Sequence, residues 1–239
     1  MVSTSATSAT SATSATSARS ARSATSPTAT ALRDHWQWRP DWASERPCLL
    51  WYLTFESQPA LSRQAEQAQT RLRGVRAVDL VPLPWLHLTL DDVGFADELA
   101  PRQVDDVVAA AAASVAGWDP PPVTLGPMAP MEDAVVLQAG PAAELARLRE
   151  RLRMATTSVL GPGTVSGLED FQPHVTLAYL NDACEPGLVM DPLTPVRQTQ
   201  VVVAVPRLTL AAVTRRDRHY QWTCRAVLPL GPGDPADPR

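Results

Sequence analysis

The sequence predicts an α+β fold whose two halves each carry helices, strands and one copy of a short motif. Three observations support this. Apolar residues recur at helical spacing in three segments, and strand-like runs fill the gaps between them. The third is a repeat: "LHLTL" at 86–90 returns as "PHVTLAY" at 173–179, so two of the chain's four histidines sit in the frame His-x-Thr-Leu. A period this long, occurring once, reads as a weak internal duplication and not as a solenoid.

The chain has 239 residues, enough for one large domain or two small lobes. Residues 3–31 are built from Ser-Ala-Thr triplets with almost no large apolar side chain, so burial cannot offset their ordering entropy. The segment is Ser-rich, Arg-bearing and acid-free like a transit peptide, but has no amphipathic repeat. The expected organisation is a disordered tail over 1–33, a two-lobed domain over 45–232 and a flexible C-terminus over 233–239.

In chain order, the strand-like run "CLLWYLTF" at 48–55 comes first. Leu61, Ala65, Ala68 and Leu72 then mark a helix, entered at Pro59 and stopped at Gly74. "WLHLTL" at 85–90 reads as a strand. Val104, Val107, Val108, Ala111 and Val115 mark a second helix between Pro101 and Gly117. Runs at 122–128 and 134–139 read as strands, and Leu145, Leu148, Leu152, Ala155 and Val159 mark a third helix between Pro141 and Gly161. Strands follow at 174–180, 200–205, 207–213 and 221–230, with Pro206 predicting a bulge or an edge.

Formal charge is -4, and the first 33 residues hold Arg19, Arg22 and Arg33 but no acid, so the remainder is more acidic still. That balance excludes a nonspecific grip on long nucleic acid, which draws on many cationic contacts to phosphate. A small or terminal phosphate remains open. Cys48, Cys184 and Cys224 are odd in number and widely spaced, which indicates neither a disulfide framework nor a zinc cluster and fits a reducing cytoplasm. No apolar run reaches the roughly 18 residues of a membrane span, so no membrane partner is expected.

In a strand, alternate side chains share a face. His87 and Thr89 therefore point one way, with Leu86, Leu88 and Leu90 behind them; His174 and Thr176 repeat this with Val175 and Leu177 behind. Residues two apart lie about 6.6 Å from one another, so an imidazole and a hydroxyl can reach different oxygens of one phosphate. Displacement at phosphorus needs a base on the entering oxygen and an acid on the leaving oxygen. Two histidines facing a common groove supply both, since an imidazole can be neutral or protonated near neutral pH. The threonine hydroxyls can hold the nonbridging oxygens. This chemistry calls for no metal and no cofactor.

With these motifs the chain resembles the 2H phosphoesterase superfamily, in its 2′-5′ RNA ligase-like branch. "WLHLTLDDVGF" and "FQPHVTLAYL" look like that family's two signatures and "YQWTCRAVLPLG" like its last strand, so the resemblance covers about residues 45 to 232. It implies a bilobal α+β fold of two pseudo-symmetric lobes, with antiparallel sheets lining a central groove and helices packed outside. It also implies an enzyme that cleaves a 2′,3′-cyclic phosphate or a 2′-5′ phosphodiester at an RNA terminus or in a small nucleotide. His87 and His174 would be acid and base, in unassigned order, with Thr89 and Thr176 binding phosphate. Where many ligase-branch members carry Arg after the second motif, this chain has Tyr179. The alternatives are a non-catalytic nucleotide- or RNA-binding module and a 2′-5′ RNA end-joining ligase. The expected state is a cytoplasmic monomer.

Further candidate substrate contacts are Trp85, Gln172, Tyr179 and Tyr220. Trp85 and Gln172 precede the motif histidines by two positions, so strand alternation aims both into the groove, where Trp85 could stack on a base. "RRDRHYQW" at 215–222 offers arginines suited to phosphate, but a charged hairpin is more often a solvated one. Asp91 and Asp92 beside His87 invite a metal. No carboxylate cluster follows the second motif, and paired Asp residues are expected to end the strand in a turn.

Overall fold

A computed structural model describes residues 31–37, 42, 45–162 and 171–231. The expectations for residues 1–30 and 233–239 lie outside this set. Nine strands and four α-helices succeed one another as β1 Cys48–Thr54, α1 Pro59–Leu72, β2 Val78–Leu80, β3 His87–Phe95, α2 Pro101–Val115, β4 Val123–Met131, β5 Ala134–Gly140, α3 Ala142–Leu160, β6 His174–Leu180, α4 Pro186–Met190, β7 Val201–Val203, β8 Arg207–Arg216 and β9 His219–Pro229 among the described residues. A 3-10 turn, Leu83–Trp85, leads into β3.

The three long helices form where the apolar spacing places them. Leu61, Ala65, Ala68 and Leu72 are buried along α1, Val104, Val107, Ala111 and Val115 along α2, and Leu145, Leu148, Leu152 and Ala155 along α3. Burying each Leu or Val stabilises by about 1.5–3 kcal/mol, enough to hold helices that lack a side-chain N-cap. Proline fills the first position of α1 and α2, where no amide partner is needed.

The strands make two antiparallel sheets, one in the order β3-β1-β8-β9 and the other β2-β6-β5-β4-β7. This is the two-lobed α+β architecture expected, but the lobes are not the two halves of the chain. The last two strands return to the first sheet, and β2 joins the second. The helices are exchanged too: α1 packs on β2, β6 and β7, whereas α3 packs on β3 and against α2. Each lobe is therefore covered by the helix that follows a strand of the other. Pro206 is neither bulge nor edge, because the chain leaves the second sheet after Val203 and enters the first at Arg207.

The folded body starts earlier than residue 45. Leu32 is buried and exchanges backbone hydrogen bonds with Cys184, and Arg33 pairs with Glu132, although sequence assigns both residues to the tail. His35 and Trp42 are buried as well. The side chains of His35, Trp36 and Trp42 supply the apolar area that the triplet repeat lacks. None of the three cysteines forms a disulfide. No helix of the described residues is long and apolar enough to cross a membrane.

Candidate active site

Both motif strands begin on their histidine and break alternation at the same place. In β3, His87 pairs with Thr54, Thr89 with Tyr52 and Asp91 with Trp51, which leaves Leu90 as an extra residue. In β6, His174 pairs with Gln138, Thr176 with Val136 and Ala178 with Val135, which leaves Leu177 extra. An extra residue is a β-bulge, and it resets which face the following side chains take. His-x-Thr-Leu is thus a strand start closed by a bulge, once in each lobe.

The reset decides where the next residues go. Asp91 turns into the helix layer, where its side chain is fully buried 2.8 Å from Arg153 Nη2 and 3.4 Å from Arg149 Nε. The turn expected at Asp91 and Asp92 is absent: β3 runs through both to Phe95, because the arginines of α3 neutralise the buried carboxylate. Among the described residues, no group of three or more His, Cys, Asp and Glu side chains is arranged to hold a metal ion. In β6, simple alternation from His174 would send Tyr179 behind the sheet, and the bulge brings it to a pocket beside His87.

A helix secures each bulge. Gln69 on α1 is buried, and its Nε2 donates to the carbonyls of Val81 at 2.5 Å and Leu177 at 3.1 Å. Arg153 on α3 donates to both Asp91 oxygens, at 2.8 and 3.2 Å.

The two imidazoles are held alike. His87 Nδ1 lies 2.8 Å from the Trp85 carbonyl and His174 Nδ1 lies 2.7 Å from the Gln172 carbonyl, in each case two residues back. A carbonyl only accepts, so Nδ1 carries a proton and Nε2 is the working nitrogen in both rings. His219 has the same hook on the Asp217 carbonyl at 2.7 Å, but no threonine follows it.

The surroundings of the two rings differ. His87 is buried, stacked on Tyr52 at 4.1 Å between centroids and 21° between planes, with the edge of Trp222 at 5.1 Å. Burial pushes its pKa down to about 4; the Trp85 carbonyl opposes this and the charge of His174 adds to it. His174 is half-buried. Its pKa is also lowered by burial, against the raising effects of the Gln172 carbonyl and of the Asp133 carboxylate. Strands β3 and β6 pack against one another, and each histidine heads its strand. Tyr52 is the cross-strand partner of Thr89, and Thr176 is buried at the equivalent place on β6.

A shallow cleft opens beside His87, and Trp85, Tyr179, His219 and Tyr220 are among its walls. A small apolar cleft, lined by Leu53, Trp118, Leu145 and Leu148 among others, shares none of these residues. Trp85 reaches the pocket from the 3-10 turn and not by strand alternation. Gln172 also precedes its strand; its carbonyl holds His174, and the residue itself is exposed. The 215–222 hairpin is only partly solvated, since Arg215 is buried against Trp36, Trp42 and Tyr220. Sequence reasoning missed Tyr52, Trp222 and His35 as neighbours of the site. Tyr52 was findable, because it lies two residues from Thr54 on a strand adjacent to the first motif; His35 was not, because its partners are 98 and 185 residues away.

Two exchanged lobes, each opening a strand with His-x-Thr and a bulge, define a two-lobed protein with a paired-histidine site. The profile of the 2′-5′ RNA ligase superfamily matches residues 58–215, which include both motifs, and the chain belongs to that superfamily. Among solved structures, TT0787 of Thermus thermophilus has a TM-score of 0.57 at 20% identity, covering 77% of this chain and 97% of that one. LigT of E. coli complexed with 3′-AMP has a TM-score of 0.55 at 21% identity, covering 78% and 99%. At these identities the likeness is one of fold. No curated protein sequence matches the chain.

Proposed function

We propose that this chain is a metal-independent phosphodiesterase that opens 2′,3′-cyclic phosphates or cleaves 2′-5′ linkages at RNA ends or in small nucleotides. The observation that carries this reading is the shared hook: both motif histidines commit Nδ1 to a backbone carbonyl and free Nε2, at the heads of two strands that pack together. LigT has been crystallised with 3′-AMP and with NADP+, which supports a nucleotide as the ligand class.

The unequal surroundings divide the roles. His87, enclosed by aromatic rings and held neutral, takes a proton from water as the water oxygen attacks phosphorus. His174, the less buried of the two, gives its Nε2 proton to the ribose oxygen as the P–O bond breaks. One proton enters His87 and one leaves His174, so the pair returns to its starting state by exchange with solvent. Thr89 and Thr176 donate to the nonbridging oxygens, where charge builds. Trp85, Gln172, Tyr179 and Tyr220 contact the substrate around this centre. The protein works as a monomer in the cytoplasm.

The test is turnover of 2′,3′-cyclic nucleotides and 2′-5′ linked dinucleotides in EDTA, with the phosphate position of the product identified. His87→Ala and His174→Ala each lose about 10²- to 10⁴-fold in rate. Full activity of either variant sinks the proposal. Joining of ends under the same conditions would make the chain a ligase, and tight binding without turnover would make it a binding module.

A further inference from the structure

The segment before β1 lies outside the region matched by the family, as does Tyr220 in β9. The two meet inside the molecule. His35 Nε2 is 2.7 Å from the Tyr220 hydroxyl, and His35 Nδ1 is 2.9 Å from Asp133 Oδ2 in the turn between β4 and β5. The ring also stacks on Tyr179, with centroids 4.2 Å apart and planes 30° apart. Backbone bonds fix the histidine in turn, since its amide donates to the Leu180 carbonyl at 2.9 Å and the neighbouring Arg33 amide donates to the Glu132 carbonyl at 2.9 Å.

One imidazole thus ties three parts of the chain together: the end of β6, the β4–β5 turn and the start of β9. The two tyrosines it touches are walls of the pocket beside His87, which Trp85 also lines. An aromatic pocket beside a phosphate-handling centre suits a flat ring, because every nucleobase has a π-face that stacks regardless of sequence. A buried side chain is worth more to such a pocket when its rotamer is locked by neighbours.

We propose that His35 is a positioning residue that holds Tyr179 and Tyr220 as the walls of a nucleobase subsite next to His87. This rests on the phosphodiesterase reading above. His35 itself touches no reacting atom, and its effect reaches the substrate through the two tyrosines.

Three single variants and two substrates test it. His35→Phe keeps an aromatic ring against Tyr179 and loses both hydrogen bonds. His35→Gln retains a donor for Asp133 and an acceptor for the Tyr220 hydroxyl. Tyr220→Phe removes one oxygen from the other end and leaves the packing whole, so it serves if His35→Phe fails to fold. The substrates are a 2′,3′-cyclic nucleotide and ribose 2′,3′-cyclic phosphate, which has the phosphate but no base.

For the nucleotide, His35→Phe and Tyr220→Phe raise KM about tenfold with kcat within about twofold, and His35→Gln stays near wild type. The double variant is no worse than either single one, because both cut the same link. For the base-free compound, His35→Phe and His35→Gln match wild type. Unchanged KM in both variants, or an equal loss on the two substrates, overturns the proposal. Wild-type protein inactive on both substrates sinks the catalytic reading instead. The subsite is then read from the quenching of Trp fluorescence by 3′-AMP: weaker binding in Tyr220→Phe upholds it, and equal binding overturns it.

Discussion

Tyr52 stacks on the His87 imidazole, 4.1 Å away and nearly parallel, and faces Thr89 across the strand pair. One buried side chain on β1 therefore sets both members of the first motif. Cross-strand register explains how, since Tyr52 is the partner of Thr89 and Thr54 the partner of His87. Replacing the ring with a smaller side chain lets water reach His87, and the imidazole pKa climbs from about 4 toward its ordinary 6.5. Tyr52→Leu accordingly moves the acid limb of kcat/KM to higher pH, whereas Tyr52→Phe leaves it in place. A pH–rate profile of the two variants checks this; identical profiles refute it.

The proposed division of roles predicts that activity peaks on the acid side of neutrality. The base needs His87 neutral, which holds above about pH 4, and the acid needs His174 protonated, which holds below a pKa that is itself under 6.5. The kcat/KM profile is a bell whose alkaline limb falls below pH 6.5, with both limbs belonging to the pair. A maximum at pH 8 would contradict the assignment.

Stability follows the same groups. Both folded-state values are lowered, so between pH 6.5 and about 4 the unfolded chain binds protons that the folded one does not. Stability rises with pH through that window, and His87 alone accounts for about 3 kcal/mol lost on going down to pH 4. Urea denaturation across pH 4–7 measures it, and the His87→Ala variant flattens the slope.

On the proposed mechanism, the two threonines act on charge in the transition state. Thr89→Val and Thr176→Val keep shape and lose a donor, so each lowers kcat by about 10²- to 10³-fold with little change in KM. Steady-state kinetics on a cyclic nucleotide separate this from a binding role, in which KM alone would rise.

The bulge anchors are structural. Asp91→Ala leaves Arg149 buried and uncompensated and costs about 3–5 kcal/mol. Gln69→Leu takes away the amide that the Val81 carbonyl accepts from and costs about 1–3 kcal/mol. Denaturant midpoints report both, and a midpoint unmoved by Asp91→Ala would show that the ion pair is dispensable.

Sequence alone determined the three long helices, most strands and the paired His-x-Thr, because amphipathic period, proline and glycine punctuation and a repeated motif are local properties of the chain. It also determined that Thr89 and Thr176 lie two residues from a histidine on a strand. Tertiary structure decided what those residues meet. The exchange of α1 and α3 between lobes, the bulges at Leu90 and Leu177 that turn Asp91 inward and Tyr179 toward the pocket, and the clasp of His35 on Asp133 and Tyr220 all depend on contacts between distant segments. No window of sequence holds both sides of such a contact. Burial then did the rest, since His87 is buried more deeply than His174, and that difference makes two identical motifs chemically unequal.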